Sequence, residues 1–335
     1  MADRPAWLVT GVDDGERSPL AGTLGWWAAW ITTALMGGLA LTQVFGVTPW
    51  IVVFAAQAFT PYVLLVAAPL SVVAFVRGRR RLALVDVAIA VVILWLVQPV
   101  VFGPDAPTVP AGAPSFTILS ANTLYTNPRP ADAALAVLAP DADLLVITEY
   151  AGDLALQLGR DGASDRYPYR VTSPTSDRSG LALFSRFPIL RSEREVIGDQ
   201  PGIVALVAVH GTVIRVIVVH PLPGLDAGSL VGWHRALPAI DELATSPGPP
   251  TIVVGDFNSS RWHPAFRRLL DHLTDAHEQA GAGWSMSWPN DLIVPPFVRL
   301  DHALLDDHLV ATHVDEIEVP GSDHRAFEAS VSVLP

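Results

Sequence analysis

The sequence contains no cysteine and no lysine. Without thiols there is no disulfide framework and no thiolate metal site. All 21 basic side chains are arginines, and all ten histidines lie after position 200. Charge is scarce before position 104: residues 1–103 hold 5 acidic residues and 6 arginines. From Pro104 onward there are 28 acidic residues and 15 arginines, so that part carries −13 of a total net charge of −12. Such a domain lacks, on average, the basic face used for non-specific binding of duplex DNA, which leaves that role to a local patch. No G-x-S-x-G serine elbow, no P-loop and no solenoid or propeller repeat occurs in the chain.

What is abundant is apolar residue, half of the 335 positions, with mean hydropathy +0.38. The excess is concentrated in three stretches, at 24–47, 50–76 and 82–102. The first two contain no charge and the third only Asp86, while Pro61 is a candidate kink in the second. Each is near or above the roughly 20 residues a helix needs to cross a bilayer. Three in succession are read as three transmembrane helices rather than as core helices of a soluble domain. Residues 1–23, which lack the form of a cleavable signal peptide, then make an N-terminal tail. Arg77, Arg79, Arg80 and Arg81 between the second and third stretches are a positive-inside signal. This places that loop and the tail in the cytoplasm, and everything after the third helix outside it, as a multi-pass protein of the cell membrane. Residues 103–114, rich in proline and without apolar periodicity, read as a semi-rigid spacer before a domain at 115–335.

In that domain the texture changes. Short apolar runs at 116–120, 144–148, 181–184, 203–209, 213–219 and 252–254 read as strands. Segments 131–138, 230–244 and 267–273 read as helices, and His210-Gly211 as a hairpin turn. Mixed short strands and helices imply one α/β domain with packed sheets. One stretch organises it: a β-branched run, Thr251-Ile252-Val253-Val254, enters Gly255-Asp256-Phe257-Asn258. In extended chain Asp256 and Asn258 face one side and Phe257 the other. A plain strand followed by an Asx turn has the same look. Other runs end in the same manner, at Asn122, Glu149 and His220, and ligands of open α/β sheets collect where carboxyl ends of strands meet. Leu300-Asp301-His302 and Ser322-Asp323-His324 add further carboxylates and imidazoles. The set is rich in hard oxygen and poor in nitrogen, which favours Mg²⁺ or Mn²⁺ over Zn²⁺ and suits water attack on a phosphate ester.

These motifs, in this order, resemble the endonuclease/exonuclease/phosphatase superfamily of metal-dependent phosphoesterases. The resemblance rests on Asn122, on Glu149, on Ser179-Gly180 with Ser185-Arg186-Phe187-Pro188, on Val219-His220-Pro221, on Gly255-Asp256-Phe257-Asn258, and on the Asp301 and Asp323-His324 motifs. Thr148 departs from the glutamine that is commoner before the glutamate. The resemblance implies a four-layer αββα sandwich. It implies metal ligation by Glu149 with Asp323, and water orientation or deprotonation by Asp256. It also implies phosphoryl contacts from Asn122, Asn258 and His220, and from a His324 oriented by Asp301. Arg186, His263, His302 and Asn127 are read instead as structural, and Trp284 and Trp288 as packing residues near the site. The layout, spans and then this domain, is similar to membrane-bound superfamily members associated with teicoplanin resistance in actinomycetes. The expected activity is an extracytoplasmic, membrane-anchored phosphoesterase acting on phosphate esters such as lipid-linked cell-envelope phosphates. The alternatives are a tethered extracellular nuclease and a non-catalytic binding module.

Overall fold

The computed structural model describes residues 19–103 and 108–334. The first 18 residues of the expected tail and positions 104–107 of the expected spacer lie outside the described residues. The apolar N-terminal third forms α1 (Pro19–Phe45), α2 (Ile51–Gln57), a 3-10 turn (Thr60–Val63), α3 (Leu64–Val76) and α4 (Arg80–Phe102). Two helices, over Thr23–Phe45 and Arg80–Phe102, are long and apolar enough to cross a membrane. The expected middle span is not one helix. Ile51–Gln57 and Thr60–Val76 are bent by 74°, so the number of passes is two, or three if the bent pair is counted. The break falls at Ala58 and Phe59, ahead of Pro61, which occupies the first turn of the next piece, where its missing N–H is not needed. Asp86 is buried and accepts from the Thr33 hydroxyl of α1 at 2.8 Å, so the one acidic side chain of α4 faces a neighbouring helix.

From Ser115 the chain runs β1 (Ser115–Asn122), α5 (Pro130–Leu138), β2 (Leu144–Thr148), α6 (Gly152–Arg160), α7 (Ala163–Arg166), β3 (Tyr169–Ser173) and β4 (Leu181–Ser185). It continues β5 (Ile189–Ile197), β6 (Gln200–Val209), β7 (Thr212–Val219), α8 (Ala227–Thr245), β8 (Thr251–Asp256) and α9 (Pro264–Leu269). It ends β9 (Thr274–Asp275), α10 (Ala276–Gln279), β10 (Asp301–Leu305), β11 (Leu309–Glu318) and β12 (Arg325–Val333). Two six-stranded mixed sheets result, ordered β11-β12-β1-β2-β4-β3 and β5-β6-β7-β8-β10-β9. Alternate side chains of both, among them Phe116, Ile118, Val146, Val216, Ile252 and Val254, meet in the core between the sheets. The opposite face of the first sheet packs Leu119, Leu145 and Ile147 against Val137 and Leu154 of α5 and α6. The opposite face of the second packs Ile217 and Val253 against Trp233 and Phe266 of α8 and α9. This is an α/β sandwich with helices on both outer faces.

α8 tolerates Pro238, and its start is fixed by a capping box between Asp226 and Ser229. The helix expected at 267–273 lies instead at Pro264–Leu269, because Pro264 presets the first helical turn and the chain leaves the helix after Leu269. The hairpin turn is as expected, with φ of 46° at His210 and 90° at Gly211.

The helices and the sandwich are in direct contact. Gln43 Nε2 donates to the Trp262 carbonyl at 2.9 Å, and Arg267 donates to the Gln43 side chain at 2.6 Å. His234 Nε2 lies 3.0 Å from the Thr48 carbonyl, and Tyr62 donates to the Phe297 carbonyl at 2.5 Å. Gly103, at the end of α4, lies so near the Glu278 carbonyl that a Cβ there would sit 3.0 Å from it. All these contacts are at one end of the helices. The arginines at 77–81 sit at the other end of α4, roughly 35 Å away for a helix of this length.

Candidate active site

Strand direction brings the polar residues together. β1 runs parallel to β2, and β7 parallel to β8, so Asn122, Glu149, His220 and Asp256 come at or just after four neighbouring carboxyl ends. β10 is antiparallel to β8, and β12 antiparallel to β1, so the amino ends of β10 and β12 lie at that same edge. Asp301 therefore pairs directly opposite Asp256 in the ladder, and His324 arrives one residue before β12. At Gly255 the two parallel strands approach so closely that a Cβ would lie 2.2 Å from the Val219 carbonyl oxygen, and its φ of 141° also excludes other residues.

The side chains form one connected array. Asn122 Nδ2 donates to Asp256 Oδ2 at 2.9 Å and to Glu149 Oε1 at 3.4 Å. Its Oδ1 accepts from the Leu124 amide. Glu149 Oε2 accepts from the Tyr125 amide at 3.0 Å. Asp256 Oδ1 accepts from the Asn258 amide at 2.7 Å, while Asn258 Nδ2 donates to the Pro221 carbonyl. His220 Nε2 is 3.5 Å from Asp256 Oδ2 and 3.9 Å from Glu149 Oε1, and its Nδ1 is 3.0 Å from the Arg178 carbonyl. His324 Nδ1 is 2.7 Å from Asp301 Oδ2, and its Nε2 is 3.8 Å from Asp256 Oδ2. Of the four non-glycine residues with left-handed backbone among those described, Leu124, Glu149 and Asn258 belong here. Strained backbone of this kind tends to collect at functional sites.

Burial and charge act against each other in this array. Burial alone would discharge His324, but the Asp301 and Asp256 carboxylates outweigh it and raise its pKa to about 10. For Asp256 burial pushes upward and is overcome by His324 and His220, which hold it down at about 2. Burial raises Asp301, opposed by His324 and reinforced by Asp256. His220 is raised because Asp256 and Glu149 outweigh its burial. The resting pair is thus a His324 imidazolium beside an ionised Asp256.

A cavity of about 360 Å³ opens on this edge, lined by Glu149, His220, Asp256, Asn258, Asp323 and His324. Asn122 and Asp301, 1% and 0% exposed, stand behind that lining. Both N–H directions of Asn122 go to carboxylates, so in this arrangement it spaces Glu149 and Asp256 rather than facing the opening. Trp288 Nε1 lies 3.3 Å from Asp323 Oδ2, and Trp288 itself lines the cavity. Arg178, Leu124 and Tyr125 also line it, although no sequence motif marked them. The residues read as structural lie elsewhere. Arg186 pairs with Asp141 and, at 3.7 Å, with Asp143. Asn127 ties Thr123 to Pro320, and His302 is fully buried between Asp275 and the Ser259 carbonyl. His263 is also buried, yet it borders the cavity.

The donor set fits a hard divalent cation. Glu149, Asp256 and Asp323 supply oxygen around one cavity. Asp256, Asp301 and His324 also present ligand atoms within 4.8 Å of one another. Asp301 and His324 are already bonded to each other, while Glu149 and Asp323 both line the cavity, Asp323 3.3 Å from Trp288 Nε1.

The site is thus carboxylates and imidazoles converging on one edge of a two-sheet sandwich. Residues 119–324 match the Endonuclease/Exonuclease/phosphatase family, and the chain belongs to it. The apolar helices lie outside the matched region. A humanized D. rerio TDP2 carrying 14 mutations is similar in structure, with a TM-score of 0.55 at 17% identity over 65% of this chain and 99% of its own. An endonuclease/exonuclease/phosphatase from Bacteroides vulgatus has a TM-score of 0.54 at 13% identity, over 65% of this chain and 99% of its own. The human Nocturnin catalytic domain, solved with a bound sulfate anion, has a TM-score of 0.50 at 18% identity, over 66% and 95%. At these identities the likeness is one of fold. No curated protein sequence matches the chain.

Proposed function

We propose that this protein is a membrane-anchored, Mg²⁺- or Mn²⁺-dependent phosphoesterase whose catalytic domain works outside the cytoplasm on lipid-linked phosphates. The observation that carries the reading is the convergence of Glu149, His220, Asp256, Asp323 and His324 on one cavity at the sheet edge. The arginines at the far end of α4 favour a cytoplasmic loop there, and hence a domain on the outer side. The acidic charge of the domain favours a substrate other than duplex nucleic acid.

Glu149 and Asp323 would hold the cation, which would supply Lewis-acid stabilisation of phosphoryl oxygen. The protein's own residues define the rest. Asp256, ionised and fixed by the Asn258 amide and Asn122, is placed to orient a water and accept its proton. His324, held as an imidazolium by Asp301, directs Nε2 into the cavity as a charged donor to a phosphoryl oxygen. His220 donates or accepts through Nε2 from the opposite side, its other nitrogen held on the Arg178 carbonyl. Asn258 offers its second amide hydrogen.

Phosphate release from lipid phosphates, lipid pyrophosphates, phospholipids and nucleic acids by the full chain in detergent, with Mg²⁺ or Mn²⁺, tests this. Hydrolysis by wild type and its loss in Asp256→Ala and His324→Ala are expected. A nicked supercoiled plasmid with no lipid turnover would instead establish the nuclease reading. That reading draws on a D. rerio TDP2 structure complexed with a single-strand DNA product. No turnover of any phosphoester would leave a binding module.

A further inference from the structure

One wall of the cavity comes from outside the catalytic domain. Phe54 and Ala55 of α2, and Ala58 and Phe59 at the bend, face the same space as Glu149, Asp256 and His324. We propose that this bent apolar segment is a working part of the active site, and that it selects a lipid phosphoester whose chain enters sideways from the bilayer along it. The proposal rests on the phosphoesterase reading above and deepens it.

The cavity has two chemically different ends. Glu149, Asp256, Asp323, His220 and His324 line one part; Phe54, Ala55, Ala58, Phe59, Leu225 and Val298 are apolar, and His263, beside Phe54, has both ring nitrogens already bonded. A nucleotide or sugar phosphate set at the charged end would press its remaining polar groups against carbon, where they find no partner. A phosphate on an apolar chain meets both ends correctly.

The apolar wall also belongs to the segment proposed above to lie in the bilayer. Phe54 and Phe59 belong to the stretch that begins α2 and continues into α3, whose Val52 and Leu65 are 72% and 73% exposed. The ends of α1 and α4 dock on the domain as well. The apolar surface continues onto the domain. Between Trp288, which lines the cavity, and Phe297, whose ring is 5.7 Å from Phe59, the loop exposes Leu292, Ile293 and Val294. Three consecutive exposed aliphatic residues are a liability in water and an anchor at a lipid surface.

The wall is fixed rather than incidental. α2 has seven residues, so its last carbonyls lack helical partners. The Phe54 carbonyl is capped from the domain by His263 Nε2 at 3.0 Å. The other ring nitrogen of His263 accepts from the Ser260 amide, two residues beyond Asn258. The Phe54 ring stands edge-on to Trp233 at 5.1 Å. A segment serving only as an anchor needs none of these ties; one that shapes a pocket does.

The test uses the full chain in phosphatidylcholine vesicles. In EDTA, a phosphatidic acid with a photoactivatable tail should label residues 54–59. Unlabelled phosphatidic acid should compete, and diacylglycerol should not. Ala58→Trp and Phe59→Asp should each cut that labelling about tenfold, the scale on which apolar pockets discriminate. With metal, the ratio of kcat/KM for long-chain over short-chain phosphatidic acid should fall about tenfold in Ala58→Trp and stay unchanged in Trp95→Ala, a site 68% exposed on α4. Labelling spread over the outward faces of α1 and α4 without competition would overturn the proposal, as would the same chain-length ratio in wild type and Ala58→Trp. If no phosphoester is turned over, the phosphoesterase reading fails and the metal-free labelling still decides whether the wall binds lipid phosphate.

Discussion

His263 lets the joint between the catalytic loop and the apolar segment be measured through pH. Its ring is fully buried, accepts from the Ser260 amide and donates to the Phe54 carbonyl, so it must be neutral with the proton on Nε2. Burial lowers its pKa to about 4, the two backbone bonds oppose that, and Arg267 and His302 add to the lowering. The unfolded chain takes up a proton near pH 6.5, and the folded protein does so only near 4. Within that window the unfolded state binds more protons, so stability is fully present above pH 6.5 and is lost as pH falls towards 4. That lowering, at about 1.4 kcal/mol per tenfold, corresponds to about 3.5 kcal/mol. His263→Gln removes the titration. At pH 7.5 the variant should be less stable by about 1–3 kcal/mol for the disturbed buried hydrogen bonds. Thermal unfolding followed by tryptophan fluorescence in detergent, from pH 7.5 to 4, should show the two stability curves converging as pH falls. A gap that stays constant across that range would refute the argument.

Other outcomes follow from the same geometry. Asp301→Asn removes the charge that holds His324, and kcat should fall about 100-fold with little change in KM, since the lost interaction acts on developing charge. Gly255→Ala places a methyl 2.2 Å from the Val219 oxygen, and the expected loss is above about 3 kcal/mol or failure to fold, read from expression and Tm. Chelation should abolish turnover, and Mg²⁺ or Mn²⁺ should restore it; full activity in EDTA would contradict the metal reading. A reporter that works only outside the cytoplasm, fused after the last residue, should be active, and an inactive fusion would invert the topology.

The sandwich was legible because its strands are β-branched runs ended by chemistry-bearing residues. Asn122, Glu149, His220 and Asp256 mark four strand ends, and Asp301 and His324 occur in short motifs. The other six strands were not marked: the edge strands β3, β5, β9 and β11, of which β5 has a charged centre and β9 two residues, and the interior β10 and β12, whose site residues come at their amino ends rather than their carboxyl ends. The break in the second apolar stretch could be placed only near Pro61, because composition gives no sign of a turn at Ala58 and Phe59. The segment is held by contacts over two hundred positions away, Phe54 with His263 and Phe59, in the turn, with Phe297. For the same reason Phe54 and Phe59 read as membrane filler. Their place in the cavity is a fact of tertiary structure, as is that of Arg178, whose exposed side chain follows no motif.

The pairing of Asp256 with Asp301 across the β8–β10 ladder has an evolutionary edge. Like charges directly opposite in a ladder weaken it, and here His324, just ahead of β12, stands between them, with His220, Asn122 and the Asn258 amide also holding Asp256. Neutral amides at both positions would ease that repulsion and yield a sturdier, inert protein. On the proposed function, mutational drift towards robustness is opposed at this rung by the need for turnover.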